Sequence, residues 1–236
     1  MTAQYNFTFI GTIHSCYKEK FGIPRQPALV ASPATIEINQ VYSIDEAFRE
    51  LETFSHIWVV FVFHGITNNH WKPTVRPPRL GGNQRIGVFA SRSMFRPNPI
   101  GLSVVELKSI ERMGDRIILN IVGGDFLDLT PVLDIKPYIP YADSIDAVKA
   151  GYATEKPVIK FKVSFTEKAE KEIKRVKDKY PQLKNIIIDI LQLDPRPAYQ
   201  DKKQIKKEFA IRLYDYDMKW HVDDESVIVT SLDLLD

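Results

Sequence analysis

As far as about residue 145, the sequence is divided into many short strand-like runs separated by turns rich in proline and glycine. One run, SHIWVVFVFHG at residues 55–65, is apolar at almost every position, so we expect a strand buried on both faces. Many short strands with little helix are typical of antiparallel closed sheets. The sequence therefore predicts a closed or nearly closed β-barrel in this region.

Two local predictions fall inside the barrel region. The stretch SIDEAFRELETF, residues 43–54, has Ser43 at a plausible N-cap and Glu46 at the capping-box position, which predicts a short amphipathic helix. The stretch IGVFASRS, residues 86–93, predicts a strand leading into the loop that follows it.

The pattern changes after Gly151. KPVIKFKVSF alternates as a strand, two helical stretches follow, and two further strands are predicted in KEFAIRLYDYDMKWHV and SVIVTSLDLL. The fold class is therefore mainly β: an N-terminal β-barrel over residues 1–145, without a Rossmann sheet, and a small C-terminal α+β domain over residues 155–236.

Composition excludes several classes of protein. A single cysteine, Cys16, rules out an intrachain disulfide and a cysteine-rich zinc site. No GxGxxG follows a strand and no GxxxxGK[ST] occurs, so nucleotide binding through a Rossmann or P-loop route is unsupported. No apolar run reaches the roughly 18 to 20 residues of a membrane helix, and the first residues lack a secretory signal, so we expect a cytoplasmic protein that does not enter membranes.

The net charge is only +2, but the charges are unevenly distributed. No acidic residue lies between Glu52 and Glu106, a window that contains Lys72, Arg76, Arg79, Arg85, Arg92 and Arg96. Residues 156–184 carry ten Lys or Arg against four acids, and Lys202, Lys203, Lys206 and Lys207 form a third group. These groups indicate a phosphate-rich polymer as partner, although solvated lysines on a helix face also explain the second group.

The most distinctive loop is RSMFRPNPIGLSVVEL, residues 92–107. Pro97 and Pro99 each fix their own φ and favour an extended conformation at the preceding residue, which holds Arg96 and Asn98 open. A rigid, cationic loop that enters a core strand suits ligand binding, and the alternative is an ordinary connector stiffened by proline.

Five segments together carry a resemblance to a known family: PRQ at residues 24–26, TVRPPRLGG at 74–82, RSMFRPNPIGLS at 92–103, TPVLDIKPY at 130–138 and DPRPAY at 194–199. In this order and spacing they resemble the TsaA-like (TrmO) family. The resemblance implies a β-barrel enzyme that uses S-adenosylmethionine to methylate the base nitrogen of threonylcarbamoyladenosine, beside the anticodon of tRNAs that read threonine codons. It also implies a homodimer, with the cofactor near the subunit interface and the tRNA anticodon stem-loop as partner.

The resemblance assigns cofactor-binding positions to Pro24, Arg25, Gln26, His64, Gly65, Arg92, Leu102, Asp128, Leu129, Thr130 and Pro131. Two residues depart from the family pattern. Leu129 stands where glycine is common, and a positive φ there would strain the turn. Met94 stands where proline or a small residue is usual. By residue type alone, His64 also suits a structural role.

The chemistry of the cofactor suggests how these residues act. Arg92 or Arg25 would clamp its carboxylate through a charge-assisted pair, and Asp128 would take the ribose hydroxyls or face the sulfonium. No metal is expected.

Candidate catalytic residues are Tyr199, Asp194 and Arg196, within DPRPAY. Tyr199 and Asp194 would contact the modified base or its threonyl carboxylate, and Arg196 would pair with that carboxylate. The alternative is a proline-rich helix stop. Another function is also open, a non-catalytic regulator that binds S-adenosylmethionine and RNA through the same loops.

Overall fold

The computed structural model describes residues 4–66, 71–197, 207–224 and 226–235. The strands in chain order are β1 (Gly11–Ser15), β2 (Pro33–Ile38), β3 (His56–Val62), β4 (Thr74–Val75), β5 (Ile86–Gly87), β6 (Ile100–Met113), β7 (Arg116–Val122), β8 (Thr130–Pro137), β9 (Lys162–Phe165), β10 (Glu208–Leu213), β11 (Tyr216–Asp223) and β12 (Ser226–Leu234). The α-helices are α1 (Pro140–Asp143), α2 (Glu167–Arg175) and α3 (Leu183–Gln192).

Six strands form a closed antiparallel barrel in the order β1-β2-β7-β6-β3-β8, which confirms the predicted fold class. Alternate residues of each strand point inward, as Ile57, Val59 and Phe61 of β3 do, and these inward side chains are buried. Burying each such side chain stabilises the fold by roughly 1.5–3 kcal/mol. The alternating pattern therefore supplies the core of the barrel.

β3 is not buried on both faces, contrary to the sequence prediction. Trp58, Val60 and Val62 point outward and are only half-buried. The strand lies in the wall of a single-layered barrel, so only its inner face is covered by the other strands.

The prediction of a helix over residues 43–54 is wrong. Two short 3₁₀ turns, Asp45–Phe48 and Leu51–Thr53, take its place, and Glu50 between them has a left-handed φ of 67°. Ser43 does not cap a helix, because its hydroxyl is committed to the carbonyl of Ile38 and to the backbone N–H of Ile117. Contacts with the neighbouring strands outweigh the local capping pattern.

The strand predicted over residues 86–93 is also mostly wrong. Only Ile86–Gly87 pairs, with Thr74–Val75, and a 3₁₀ turn follows at Val88–Ala90. This small two-stranded sheet is separate from the barrel and lies in the chain between β3 and β6. It is continued by the proline-rich loop that leads into β6.

The C-terminal region is a four-stranded sheet in the order β10-β11-β12-β9, with α2 and α3 packed against it. The stretch predicted as one strand at residues 207–222 is a hairpin, because the chain reverses at Tyr214, which has a φ of 52°. Thr166 caps α2 by accepting a hydrogen bond from the N–H of Ala169 at 3.3 Å.

The loop between β1 and β2 belongs to this second core and not to the barrel interior. Cys16, Tyr17 and Val30 are buried among the side chains of α2, α3 and the C-terminal strands. The Cys16 carbonyl accepts a hydrogen bond from the N–H of Tyr214 at 2.8 Å. The loop is therefore held against the C-terminal region. Across the described ranges, no helix is long and apolar enough to span a membrane.

Candidate active site

The predicted cofactor-binding segments meet at one end of the barrel. The strand pairing brings the ends of β1 and β3 beside the beginnings of β6 and β8, with Ile13 opposite Thr130, Val62 opposite Ile100, and Phe61 opposite Val132. The β1–β2 loop, the turn after β3, and the loops that precede β6 and β8 all emerge there. Segments far apart in sequence are thus neighbours at this end.

His64 lies at the exposed end of β3 and contacts the start of β8. Its Nδ1 is 3.4 Å from the Oγ1 of Thr130, a buried hydroxyl that donates to the carbonyl of Leu127 at 2.6 Å. The N–H of Phe63 donates to the carbonyl of Pro99 at 2.8 Å, which fixes the proline-rich loop beside the same strand end.

Arg92 and Gln26 join two of the predicted loops. Nη1 of Arg92 donates a hydrogen bond of 2.8 Å to Oε1 of Gln26, and both groups lie at the surface. Leu102, at the start of β6, points to the outside of the barrel and is 51% exposed, and Ile100 lies on the same outer face. A guanidinium and an apolar surface therefore occur together at this end.

Asp128 is held by the chain itself. Its Oδ1 accepts the N–H of Ser15 at 2.9 Å, and its Oδ2 pairs with Nζ of Lys18 at 2.6 Å. These contacts fix the turn before β8 against the end of β1.

Leu129 has a left-handed backbone with a φ of 63°, as expected for a position where the family commonly has glycine. Its N–H donates to the carbonyl of Ile13 at 2.8 Å, so this conformation is held by the start of the β1–β8 ladder. For a residue with a Cβ, the left-handed conformation costs about 1–2 kcal/mol. The side chain is 56% exposed.

Arg25 connects the β1–β2 loop to the DPRP segment. Its Nη2 donates to the backbone carbonyls of Asp194, at 3.4 Å, and Arg196, at 3.1 Å. Pro24, beside it, is buried. One three-residue loop thus contacts Arg92 through Gln26 and the C-terminal region through Arg25.

Asp194 and Arg196 form a buried ion pair. Nε and Nη2 of Arg196 donate to the two carboxylate oxygens of Asp194 at 2.8 and 3.1 Å. The Arg196 side chain is 5% exposed and the Asp194 side chain is 3% exposed. Lys160 lies 3.3 Å from the same carboxylate. Tyr199, the third predicted catalytic residue, lies outside the described residues.

The sequence predicted that the side chain of Arg96 is held open for a ligand, and this prediction is wrong. Its Nη1 donates to the carbonyls of Val88 and Ser91 at 3.1 and 2.7 Å, and the guanidinium lies over the ring of Phe89. Arg96 therefore shapes the loop that carries Arg92.

Sequence reasoning missed Asp125. Its Oδ1 accepts the hydroxyl of buried Ser103 at 2.6 Å, and Arg92 is close enough to act on it electrostatically. Burial raises the pKa of the Asp125 carboxyl, and Ser103 and Arg92 oppose that shift. The signal in the sequence was an acid directly after Gly123 and Gly124, at the end of an apolar strand.

Comparison with known proteins places this arrangement in a family. The chain matches the tRNA-methyltransferase O N-terminal domain over residues 12–144 and the TrmO C-terminal domain over residues 159–234. It is 47% identical to the tRNA (adenine(37)-N6)-methyltransferase of Escherichia coli K12 over 233 residues, which covers 98% of this chain and 99% of that protein.

Two further comparisons agree. The chain is 44% identical over 214 residues to a putative S-adenosylmethionine-dependent methyltransferase of Pseudomonas aeruginosa, covering 90% of each. The crystal structure of TrmO from Pseudomonas aeruginosa matches with a TM-score of 0.81 and 33% identity, covering 98% of each chain.

The barrel, its polar end and these matches define the class: the protein is an S-adenosylmethionine-dependent methyltransferase of tRNA, built on a β-barrel. Within that class, the chain belongs to the TrmO family.

Proposed function

We propose that this protein transfers the methyl group of S-adenosylmethionine to N6 of adenosine 37 in tRNA, and that the adenosine it accepts carries the threonylcarbamoyl group. The position and atom follow from the name of the Escherichia coli relative, which matches nearly the whole chain. The modified nucleoside follows from the family that the five sequence segments resemble. The observation that carries the proposal is that the PRQ segment contacts both the Arg92 loop, through Gln26, and the C-terminal DPRP segment, through Arg25.

The groups at this end of the barrel fit the cofactor. Arg92 is an exposed guanidinium that offers a bidentate partner for a carboxylate, and Gln26 fixes its position. Leu102 and Leu129 provide exposed apolar surface nearby. Of the two arginines considered from sequence, Arg92 suits the clamp better, because Arg25 is engaged with the carbonyls of Asp194 and Arg196.

S-adenosylmethionine, when bound, supplies an electrophilic methyl group. On transfer, N6 would bond to the methyl carbon as the carbon–sulfur bond breaks, the electron pair of that bond would stay on the neutral thioether that leaves, and the N6 proton would pass to water. This nitrogen is a poor nucleophile because its lone pair is delocalised into the purine and the carbamoyl group. Orientation by the rigid strand ends and loops is therefore the larger contribution, since positioning can lower a barrier by roughly 7–11 kcal/mol.

The roles of the DPRPAY residues differ within this proposal. Because Asp194 and Arg196 are buried and satisfy each other, we assign them to positioning the segment and its carbonyls, which receive Arg25. Tyr199, two residues beyond Pro197, remains the candidate for contact with the modified base.

The proposal includes a homodimer. Ile100, Leu102 and Leu129 expose apolar side chains around the cofactor end of the barrel, and a second subunit would cover them there. The cofactor would then lie between subunits, as in the family that the sequence resembles.

The direct test is methyl transfer. The purified protein is incubated with methyl-labelled S-adenosylmethionine and bulk tRNA from cells with or without the threonylcarbamoyl modification, and the nucleosides are separated by mass spectrometry. We expect label on threonylcarbamoyladenosine and none in tRNA that lacks the modification.

Label on unmodified adenosine would refute the substrate assignment and leave the enzyme class intact. Binding of cofactor and tRNA without any transfer would favour the non-catalytic regulator instead.

A further inference from the structure

The segment between β3 and β6 is strongly basic. We define the basic arm as residues 71–96, which contain six Lys or Arg and no acid. The arm holds the β4–β5 pair and a 3₁₀ turn at Pro78–Leu80, and the N–H of Lys72 donates to the carbonyl of Phe95 at 3.1 Å to close its base. It ends on the loop that carries Arg92.

No cation of the arm forms an ion pair with a carboxylate within the described parts of the chain. Lys72 lies over the ring of Phe95 at 4.3 Å, and Arg96 lies over Phe89 at 5.4 Å. Three others, Arg76, Arg79 and Arg85, are exposed. Their charged groups are exposed to solvent and form no ion pair with any acid that the structure describes.

The C-terminal region differs in this respect. Of the ten cations in residues 156–184, five are paired with acids that the structure describes: Lys160 with Asp194, Lys168 with Asp233, Arg175 with Glu172, Lys179 with Asp215, and Lys184 with Glu170. Four acids also lie within the same stretch of sequence. The sequence indicated that residues 156–184 could also bind a polyanion. Pairing with acids in the folded protein removes much of that attraction.

Exposed aromatic rings accompany the charge of the arm. Trp71 is 50% exposed and Phe89 is 72% exposed. Cationic side chains beside exposed aromatic rings are the combination that binds single-stranded nucleic acid, because phosphates meet the cations and bases stack on the rings.

We propose that the basic arm is the tRNA-binding surface of this protein, with Arg76, Arg79 and Arg85 contacting phosphates of the anticodon arm. This inference rests on the proposed function, in which tRNA is the substrate. RNA held on the arm lies along a segment that leads directly to Arg92, so its target base is brought toward the methyl donor.

The test removes charge from the arm alone. The triple variant Arg76→Gln, Arg79→Gln, Arg85→Gln is titrated with tRNA at several salt concentrations by fluorescence anisotropy. Each lost phosphate contact should lower the salt slope of log K by about one, so we expect a reduction of about two to three. The affinity at low salt should fall at least about tenfold.

The matched control removes the same charge elsewhere. Lys171, Lys174 and Lys177 are exposed, on α2 or just after it, and have no ion-pair partner within the described ranges. Their triple replacement by Gln should leave the salt slope unchanged. Calorimetry should show the arm variant binding S-adenosylmethionine as tightly as the wild type. If the triple variant misfolds, the single variant Arg85→Gln replaces it in the titration, and its salt slope should be reduced by about one.

The proposal is overturned if the arm variants keep the wild-type salt slope, or if the control variant with three lysines replaced loses more tRNA affinity than the arm variant. The outcome is separable from the proposed function. Wild-type protein that binds tRNA through the arm but transfers no methyl group would refute only the enzymatic assignment. Normal methylation with undiminished binding by the arm variants would refute only the arm.

Discussion

Nη1 of Arg92 donates a 2.8 Å hydrogen bond to Oε1 of Gln26, and this contact joins two loops that are 66 residues apart in the sequence. It orients the guanidinium at the end of the barrel where the predicted cofactor segments meet. The amide of Gln26 therefore positions Arg92 for an anion without neutralising its charge.

Replacing Arg92 with Ala should weaken S-adenosylmethionine binding by about tenfold or more, because a hydrogen bond to a charged group contributes about 1.5–3 kcal/mol. Arg92→Lys should have an intermediate effect, since lysine keeps the positive charge but cannot donate the two parallel hydrogen bonds of a guanidinium. Calorimetry measures both. An unchanged dissociation constant for the Ala variant would remove Arg92 from the carboxylate clamp.

Replacing Arg196 with Met should lower the free energy of unfolding by about 3 kcal/mol, because it leaves the buried carboxylate of Asp194 without its bidentate partner. Urea unfolding measures the loss. The double variant with Asp194→Asn should recover part of it, since the buried negative charge that lost its bidentate partner is then gone. Additive losses in the double variant would contradict this account of the pair.

Gly101 is needed where β6 crosses Phe61. A Cβ at position 101 would overlap the Phe61 ring, which packs edge-on against Phe63 and Phe126 in the barrel core. Gly101→Ala should therefore destabilise the protein by about 1–3 kcal/mol in urea unfolding. Gly87→Ala is the control, because nothing lies within 4 Å of its added Cβ. Equal effects at the two positions would contradict the packing argument.

Replacing Leu129 with glycine should stabilise the protein slightly. Leu129→Gly relieves a left-handed backbone that costs about 1–2 kcal/mol, against an entropic cost of about 0.4–1 kcal/mol in the unfolded chain, so a small net stabilisation is expected. Leu129→Ala retains the same φ and loses the same side-chain contacts, so it should not be stabilised. Thermal unfolding of both variants separates the two effects.

Asp125 should make stability depend on pH. Burial raises the pKa of its carboxyl above the ordinary value of 3.8, so the unfolded chain loses this proton first as the pH rises. The contribution of Asp125 therefore falls from about pH 4 upward, until the folded carboxyl also ionises. Urea unfolding should show Asp125→Asn gaining stability over wild type across that interval, and a constant difference would contradict the shift.

The motifs and the strand pattern predicted the barrel, the absence of a Rossmann site and the segments that meet at the barrel end, because alternating burial and proline-stiffened loops are local properties. The assignment of Arg25 could not be made in that way. Its partners, the carbonyls of Asp194 and Arg196, come from a segment about 170 residues away, and only the packing of the β1–β2 loop into the second core brings them within reach.

The sequence by itself determined the family, the mainly β architecture and the residues available for cofactor chemistry. The tertiary structure alone decided which charged groups are paired. Arg196 pairs with Asp194, and, among the described residues, half of the cations in residues 156–184 pair with acids, some of them distant in the chain. It also placed Asp125 close enough to Arg92 for an electrostatic interaction, and left Arg76, Arg79 and Arg85 of the basic arm without an ion pair in the described ranges. The physical reason is that Coulomb interactions depend on distances in space and on burial, and neither follows from spacing along the chain.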